Sequence, residues 1–90
     1  MFREEFHETL VIQALASSTQ SRLKIKGIQE FINGMIEDTA QHDKFELLSE
    51  DQVWNAVLIL EDSGFVARAS KTADWFRITY QGYIAYKAEL

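Results

Sequence analysis

Basic side chains that could bind phosphate occur in two short segments of this 90-residue sequence. Residues 19–28 contain three cations and no acid, and residues 64–88 contain four cations against Asp74 as their one acid. Guanidinium and ammonium groups attract phosphate oxygens, so both segments are candidates for contact with a nucleic-acid backbone. The candidates are Lys24, Lys26, Arg68, Lys71 and Arg77, with Arg22 in the same first segment. The alternative is that these are solvated strand residues, some of them paired with carboxylates nearby.

The middle of the chain has the opposite charge. Residues 29–63 carry nine acids and a single base, Lys44, and the net charge of the whole sequence is −5. A negative total argues against a simple nucleic-acid binder, because each carboxylate near a phosphate opposes binding. The distribution of charge along the chain is therefore more informative than its sum.

Two amides within the acidic region have side chains suited to base recognition. Gln52 and Asn55 could each make paired hydrogen bonds with adenine. No lysine or arginine accompanies them anywhere from residue 45 to residue 67. The alternative is that both are solvated, with Gln52 serving as part of a helix cap.

Catalytic, metal and cofactor sites are not indicated by the remaining residues. His7 and His42 each lack a second histidine or cysteine at metal-ligand spacing, and the sequence contains no cysteine. There is no glycine-rich phosphate loop, and the serines near Ser17 lack a placed base. The sequence predicts a non-catalytic protein without metal or cofactor.

Length and composition predict one globular domain over residues 1–90. The chain has no proline, 47% hydrophobic residues and 26% charged residues, and chains this short rarely divide into two domains. No apolar run approaches the roughly 20 residues that span a bilayer. We expect a cytoplasmic protein without membrane contact.

Periodicity in the first half predicts two helices separated by a short strand. Apolar residues recur at helical spacing from Phe2 to about Ser17, and the polar residues after them end the helix. The segment RLKIK alternates basic and aliphatic residues, which favours a very short strand with Leu23 and Ile25 facing inward. A second helix is predicted from Gly27, with Ile28, Phe31, Ile32, Met35 and Ile36 on one stripe.

The second half predicts a capped helix, a hairpin and a last helix. Ser49 and Gln52 form a capping-box pattern for a third helix that ends near Ser63, before Gly64. The two segments FVARA and WFRIT each show the alternation of a strand, and the polar segment SKTAD joins them, which predicts a hairpin. Thr79 is positioned to cap a fourth helix, Tyr80 to about Glu89. Tyr80, Tyr83 and Ile84 are expected to pack on the first helix.

Two junctions in this order resemble those of the winged helix-turn-helix superfamily. In VLILEDSGFVARA, Leu60, Glu61, Gly64 and Phe65 are similar to the exit from the recognition helix into the first wing strand. In FRITYQGYIAY, Ile78, Thr79 and Gly82 resemble the end of the second wing strand. The resemblance covers nearly the whole chain and implies an α+β fold, a three-helix core with a short β-sheet, a wing and a C-terminal helix.

This resemblance also implies a function. In the superfamily the third helix usually enters the major groove of double-stranded DNA and the wing touches the backbone. It implies a transcription-regulator-like protein whose wing leads the phosphate contacts. A strand after the first helix normally joins the sheet of the wing in this fold, so the cations of the two basic segments are expected to form one positive side: Arg22, Lys24, Lys26, Arg68, Lys71 and Arg77. The implied DNA-binding residues are Lys24, Lys26, Gln52, Asn55, Arg68, Lys71 and Arg77, and Trp75 is the one aromatic expected to contact DNA. Because terminal helices often build dimers in this superfamily, a homodimer through the first and last helices is expected as well.

The alternative is an interaction module on the same scaffold that does not bind DNA. In it, the third helix presents Trp54, Leu58 and Ile59 to a protein partner.

Overall fold

The structure is a computed structural model that describes residues 2–20, 22–38, 47–69 and 75–89. Four helices and three short strands lie within these ranges. They are α1 (Phe2–Ser17), β1 (Leu23–Lys24), α2 (Ile25–Asp38), α3 (Glu50–Asp62), β2 (Val66–Arg68), β3 (Trp75–Ile78) and α4 (Tyr80–Glu89). The strands form one antiparallel sheet in the order β1-β3-β2, which confirms the predicted hairpin strands. The predicted tip, residues 70–74, is outside the described residues.

The core lies between α1, α2, α3 and the inner face of the sheet. Each helix contributes a stripe of aliphatic side chains, and Phe76 of the central strand is fully buried beneath them. The buried apolar residues are Leu10, Val11, Ile12, Ala14, Leu15, Leu23, Ile25, Ile28, Ile32, Ile36, Leu48, Val53, Ala56, Val57, Leu60, Val66 and Phe76. In the parts of the chain that are described, no helix combines the length and apolar character needed to cross a membrane.

The boundary between β1 and α2 differs from the prediction. The strand contains only Leu23 and Lys24, and the helix begins at Ile25, not Gly27. The reason is that Ile25, Ile28 and Ile32 fall at i, i+3 and i+7, so extending the helix back by two residues buries Ile25 on the same stripe. Lys26 therefore lies in the first turn of α2 and not on a strand.

The start of α3 is fixed by the predicted capping box and by side chains from α2. The Gln52 N–H donates to Ser49 Oγ at 3.3 Å, and the Ser49 N–H donates to Gln52 Oε1 at 2.9 Å. Just before this cap, Asn33 holds both backbone groups of Leu48: its Oδ1 accepts from the N–H at 2.9 Å and its Nδ2 donates to the carbonyl at 3.1 Å. Gln29 donates to the same carbonyl at 3.0 Å. These bonds set the position of α3 relative to α2.

A second junction joins the end of α3 to the start of α4 through Thr79. The Thr79 hydroxyl donates to the Gly64 carbonyl at 2.7 Å and accepts from the Gly82 N–H at 3.0 Å. The Thr79 N–H donates to the Phe65 carbonyl at 3.0 Å. Gly64 has φ +85°, a backbone conformation that residues with a side chain rarely adopt. One residue thus ends β3, caps α4 and ties both to the turn after α3.

The outward side of α4 is more exposed than the sequence predicts. Tyr80 is 80% exposed, so the expectation that it packs on α1 is wrong, and Tyr83 and Ile84 are 43% and 49% exposed. Tyr86 packs against the core instead. The reason is geometric: α4 packs on α1 and β3, and a 10-residue helix that lies on the globule leaves its outward side to solvent.

We expect Gly82→Ala to destabilise the fold by about 3 kcal/mol or more. A Cβ at this position would overlap the Phe65 carbonyl oxygen and approach Ile78 Cγ1 to 2.9 Å. Gly34→Ala is the matched control, since a Cβ there meets no atom within 4 Å and helix propensity favours alanine by about 1 kcal/mol. The free energy of unfolding from urea titration measures both. Equal effects of the two substitutions would contradict this account of the α4 junction.

Candidate nucleic-acid interface

The outer face of the sheet brings together basic residues from separate segments. Side chains alternate along β3, so Phe76 points into the core while Trp75 and Arg77 share the opposite face. Lys24 is paired in register with Trp75, and Leu23 with Phe76. Continuing this register by one residue sets Arg22 opposite Arg77. We call Arg22, Lys24, Trp75 and Arg77 the outer-face cluster.

Trp75 is the centre of the outer-face cluster. The Arg22 guanidinium carbon lies 4.7 Å from the centroid of its ring, and the Lys24 ammonium nitrogen lies 5.3 Å from it. Contacts of a cation with an aromatic face are worth about 0.5–1 kcal/mol at exposed sites. Trp75 therefore holds two cations close together despite their mutual repulsion. Within the described ranges, no carboxylate forms an ion pair with Arg22, Lys24 or Arg77.

Arg68 is on the other side of the sheet from this cluster. It is paired in register with Phe76, whose side chain faces the core. Its Nε donates to Glu61 Oε2 at 2.9 Å, and its guanidinium lies 6.0 Å from the Trp54 ring centroid and 5.2 Å from that of Phe76. The structure thus ties Arg68 to the C-terminal end of α3. An exposed pair of this kind stabilises by about 1 kcal/mol at most, so Arg68 can exchange Glu61 for another anion.

The remaining predicted phosphate contacts lie apart from the outer-face cluster or outside the described residues. Lys26 is exposed in the first turn of α2, on the element next to β1. Lys71 belongs to residues 70–74, outside the described ranges. The sequence placed all the cations on one positive side, but among those described only Arg22, Lys24 and Arg77 share a face.

The predicted base-contacting amides are on the exposed side of α3. Asn55 is exposed there, between Asp51 and Asp62. Gln52 is exposed too, but its Oε1 already accepts the Ser49 N–H in the capping box. A paired contact with adenine needs both the oxygen and the nitrogen of the amide, so Gln52 would have to leave its cap to make one.

The predicted partner surface is split by the structure. Trp54 is half-buried and packs edge-to-face on Phe76, with the ring centroids 5.6 Å apart and the ring planes at 89°. Leu58 and Ile59 are exposed and line an open groove whose other walls include His7 of α1 and Asn55. Trp54 therefore lies on the side of α3 that packs against the sheet, whereas Leu58 and Ile59 face the groove.

Metal binding finds no support in the described part of the chain, where no group of three or more histidine, cysteine, aspartate or glutamate side chains could hold an ion. His7 lies in the groove beside α3, and His42 is outside the described residues.

Sequence reasoning identified most of the outer-face cluster but not its arrangement. Arg22 was expected near Arg77 if β1 joined the sheet, but its place above Trp75 follows only from the pairing of β1 with β3. A usable signal was present, since Arg22–Lys24 and Trp75–Arg77 are both i, i+2 pairs that must share a face if the two strands are neighbours.

The fold is similar to that of a transcriptional regulator from Clostridium thermocellum, Cth-833. The TM-score is 0.68 with 19% sequence identity, over 98% of this chain and 80% of that chain. No protein-family model matches the sequence, and no curated protein matches it significantly. With the order of helices and strands described above, the likeness shows an α+β fold of the winged helix-turn-helix type.

Proposed function

We propose that this protein is a non-catalytic DNA-binding protein of the transcription-regulator type, which contacts the sugar–phosphate backbone through its sheet and wing. The observation that carries the proposal is the convergence of Arg22 and Lys24 on the Trp75 ring, beside Arg77. Cations that share one face and form no ion pair with a carboxylate of the described residues are suited to a chain of phosphates, which supplies most of the affinity of non-specific DNA binding.

The fold supports the same proposal. Its structural neighbour is described as a transcriptional regulator, and winged-helix proteins use the wing for backbone contact. In this chain the outer-face cluster is continuous through β3 with the predicted wing tip, in which Lys71 is a further candidate. Lys26 in the first turn of α2 and Arg68 on the other side of the sheet are retained as secondary contacts.

The acidic side chains of α3 limit which surface of the protein can approach DNA. Its exposed side carries Asp51 and Asp62, and no cation occurs between residues 45 and 67. Backbone contact through the sheet does not require this surface to approach phosphates. We therefore propose binding of low sequence specificity that requires no base contact from Asn55 or Gln52.

The salt dependence of duplex binding tests the proposal. Arg22→Ala and Arg77→Ala should each flatten the plot of log binding constant against log salt by about 1, because each removes one phosphate contact. Lys87→Ala on α4 removes the same charge far from the cluster along the chain and should leave the slope unchanged. Fluorescence anisotropy of a labelled duplex at several salt concentrations measures the slopes. Undetectable binding at low salt, or equal slopes for all three variants, would overturn the proposal of DNA binding.

We also propose that two copies associate through α4 and α1. The support is the exposed apolar stripe of Tyr80, Tyr83 and Ile84, which the described residues leave open to solvent. A dimer presents two outer-face clusters, and linked weak sites bind together far more strongly than either alone.

Sedimentation equilibrium tests the dimer. Ile84→Lys should shift the protein to monomer, because a charge cannot be buried unpaired in an apolar interface. Gln81→Lys, an exposed position off this stripe, should leave the association unchanged. Identical masses for the original chain and the Ile84→Lys variant would contradict the proposal.

A further inference from the structure

The exposed side of α3 combines carboxylates with apolar side chains. Leu58 is 43% exposed and Ile59 41% exposed, both in the middle of the helix. Asp51 and Asp62 are exposed near its two ends. This surface differs in charge and in polarity from the outer-face cluster.

A single stripe on this side of α3 contains Asp51, Asn55, Leu58 and Asp62, and Ile59 lies at its edge. Positions 51, 55, 58 and 62 are spaced i, i+4, i+7 and i+11, so they follow one side of the helix. At a rise of about 1.5 Å per residue, Leu58 lies about 10 Å along the axis from Asp51 and about 6 Å from Asp62. An apolar centre thus has a negative charge on either side.

A groove runs beside this stripe. Ala56, Leu58 and Ile59 form its apolar wall, and the polar atoms of His7, Gln52 and Asn55 border it. A few apolar side chains presented by a helix would fit such a groove, which is a common mode of peptide recognition.

The charge at the end of α3 is unfavourable for the fold itself. Acids in the last turn oppose the helix dipole at a cost of about 0.3–1 kcal/mol each. Arg68 compensates Glu61, whereas Asp62 has no ion-pair partner among the described residues. A residue that destabilises its own helix and has no compensating contact often lies at a functional site.

DNA is the less suitable occupant of this surface, since its phosphates would meet Asp51 and Asp62 with no cation on α3 to offset them. We propose that the exposed side of α3 is a docking surface for a basic, amphipathic helical segment of a protein partner. Apolar residues of that segment contact Leu58 and Ile59, and its lysines or arginines lie against Asp51 and Asp62. This inference does not depend on DNA binding, because it uses none of the outer-face cluster.

Two synthetic peptides of leucine and lysine test the docking surface directly. One has leucines at i, i+3, i+4 and i+7 spacing over about 18 residues, long enough to form a helix on binding. The other has the same composition in an order that destroys the apolar face. Anisotropy of labelled peptide, without DNA, should show the patterned peptide binding at least about tenfold tighter, a difference of about 1.4 kcal/mol.

Variants of α3 then locate the contact. The double substitution Leu58→Ser with Ile59→Ser should remove the preference for the patterned peptide, and circular dichroism should show an unchanged fold because both side chains are exposed. Asp62→Asn should weaken binding more than Glu30→Gln, which makes the same charge change at an exposed position of α2.

Three results would overturn the proposal. Equal binding of the two peptides, or equal effects of Asp62→Asn and Glu30→Gln, would show only general attraction of cations to an acidic protein. A loss of duplex affinity in the Leu58→Ser, Ile59→Ser variant would assign the surface to DNA. A loss of self-association in that variant would assign it to a second copy of the chain. None of these results decides whether the outer-face cluster binds DNA.

Discussion

The hydroxyl of Thr79 connects the two ends of the hairpin to the helices around it. It donates to the Gly64 carbonyl after α3 and accepts the Gly82 N–H in the first turn of α4. The absence of a side chain at Gly82 lets α4 approach the Phe65 carbonyl directly. These contacts hold the end of β3, the central strand, against the turn after α3 and the start of α4. The inner and outer faces of the sheet both depend on the position of this strand.

From this constraint follows a separation of roles between neighbouring residues. Phe76 closes the core and supports Trp54 of α3, while Trp75 and Arg77, one residue to each side, face solvent with Lys24. Because side chains alternate along β3, one face of the sheet is apolar and the opposite face carries cations. The acids of α3 lie on a different element, so the molecule carries positive and negative surfaces that can act on different partners.

Much of this architecture is predictable from the sequence because it is encoded locally. The capping box of Ser49 and Gln52, the stripe of α3 and the Thr79–Gly82 pair each lie within a few residues and have a single geometric interpretation. The start of α2 was mispredicted because Ile25 faces inward either as a strand residue or as part of the stripe of α2, so local alternation does not decide between them. The side taken by Arg68 depends on strand register, and the exposure of Tyr80 depends on how α4 docks. For the same reason the sequence suggested one positive side, whereas the structure puts Arg68 on the opposite side of the sheet from Arg22, Lys24 and Arg77.

The central claim is that nucleic acid is bound by the outer face of the sheet and not by α3. Trp75 reports on the sheet because it lies in the outer-face cluster, and Asn55 and Leu58 report on the exposed side of α3. The most direct measurement is a titration of the ¹⁵N-labelled protein with a short duplex, followed by heteronuclear NMR. The account predicts that the Trp75 indole and the Arg77 amide shift while the amides of Asn55 and Leu58 stay in place. Shifts concentrated at Asn55 and Leu58, with an unmoved Trp75 indole, would contradict it.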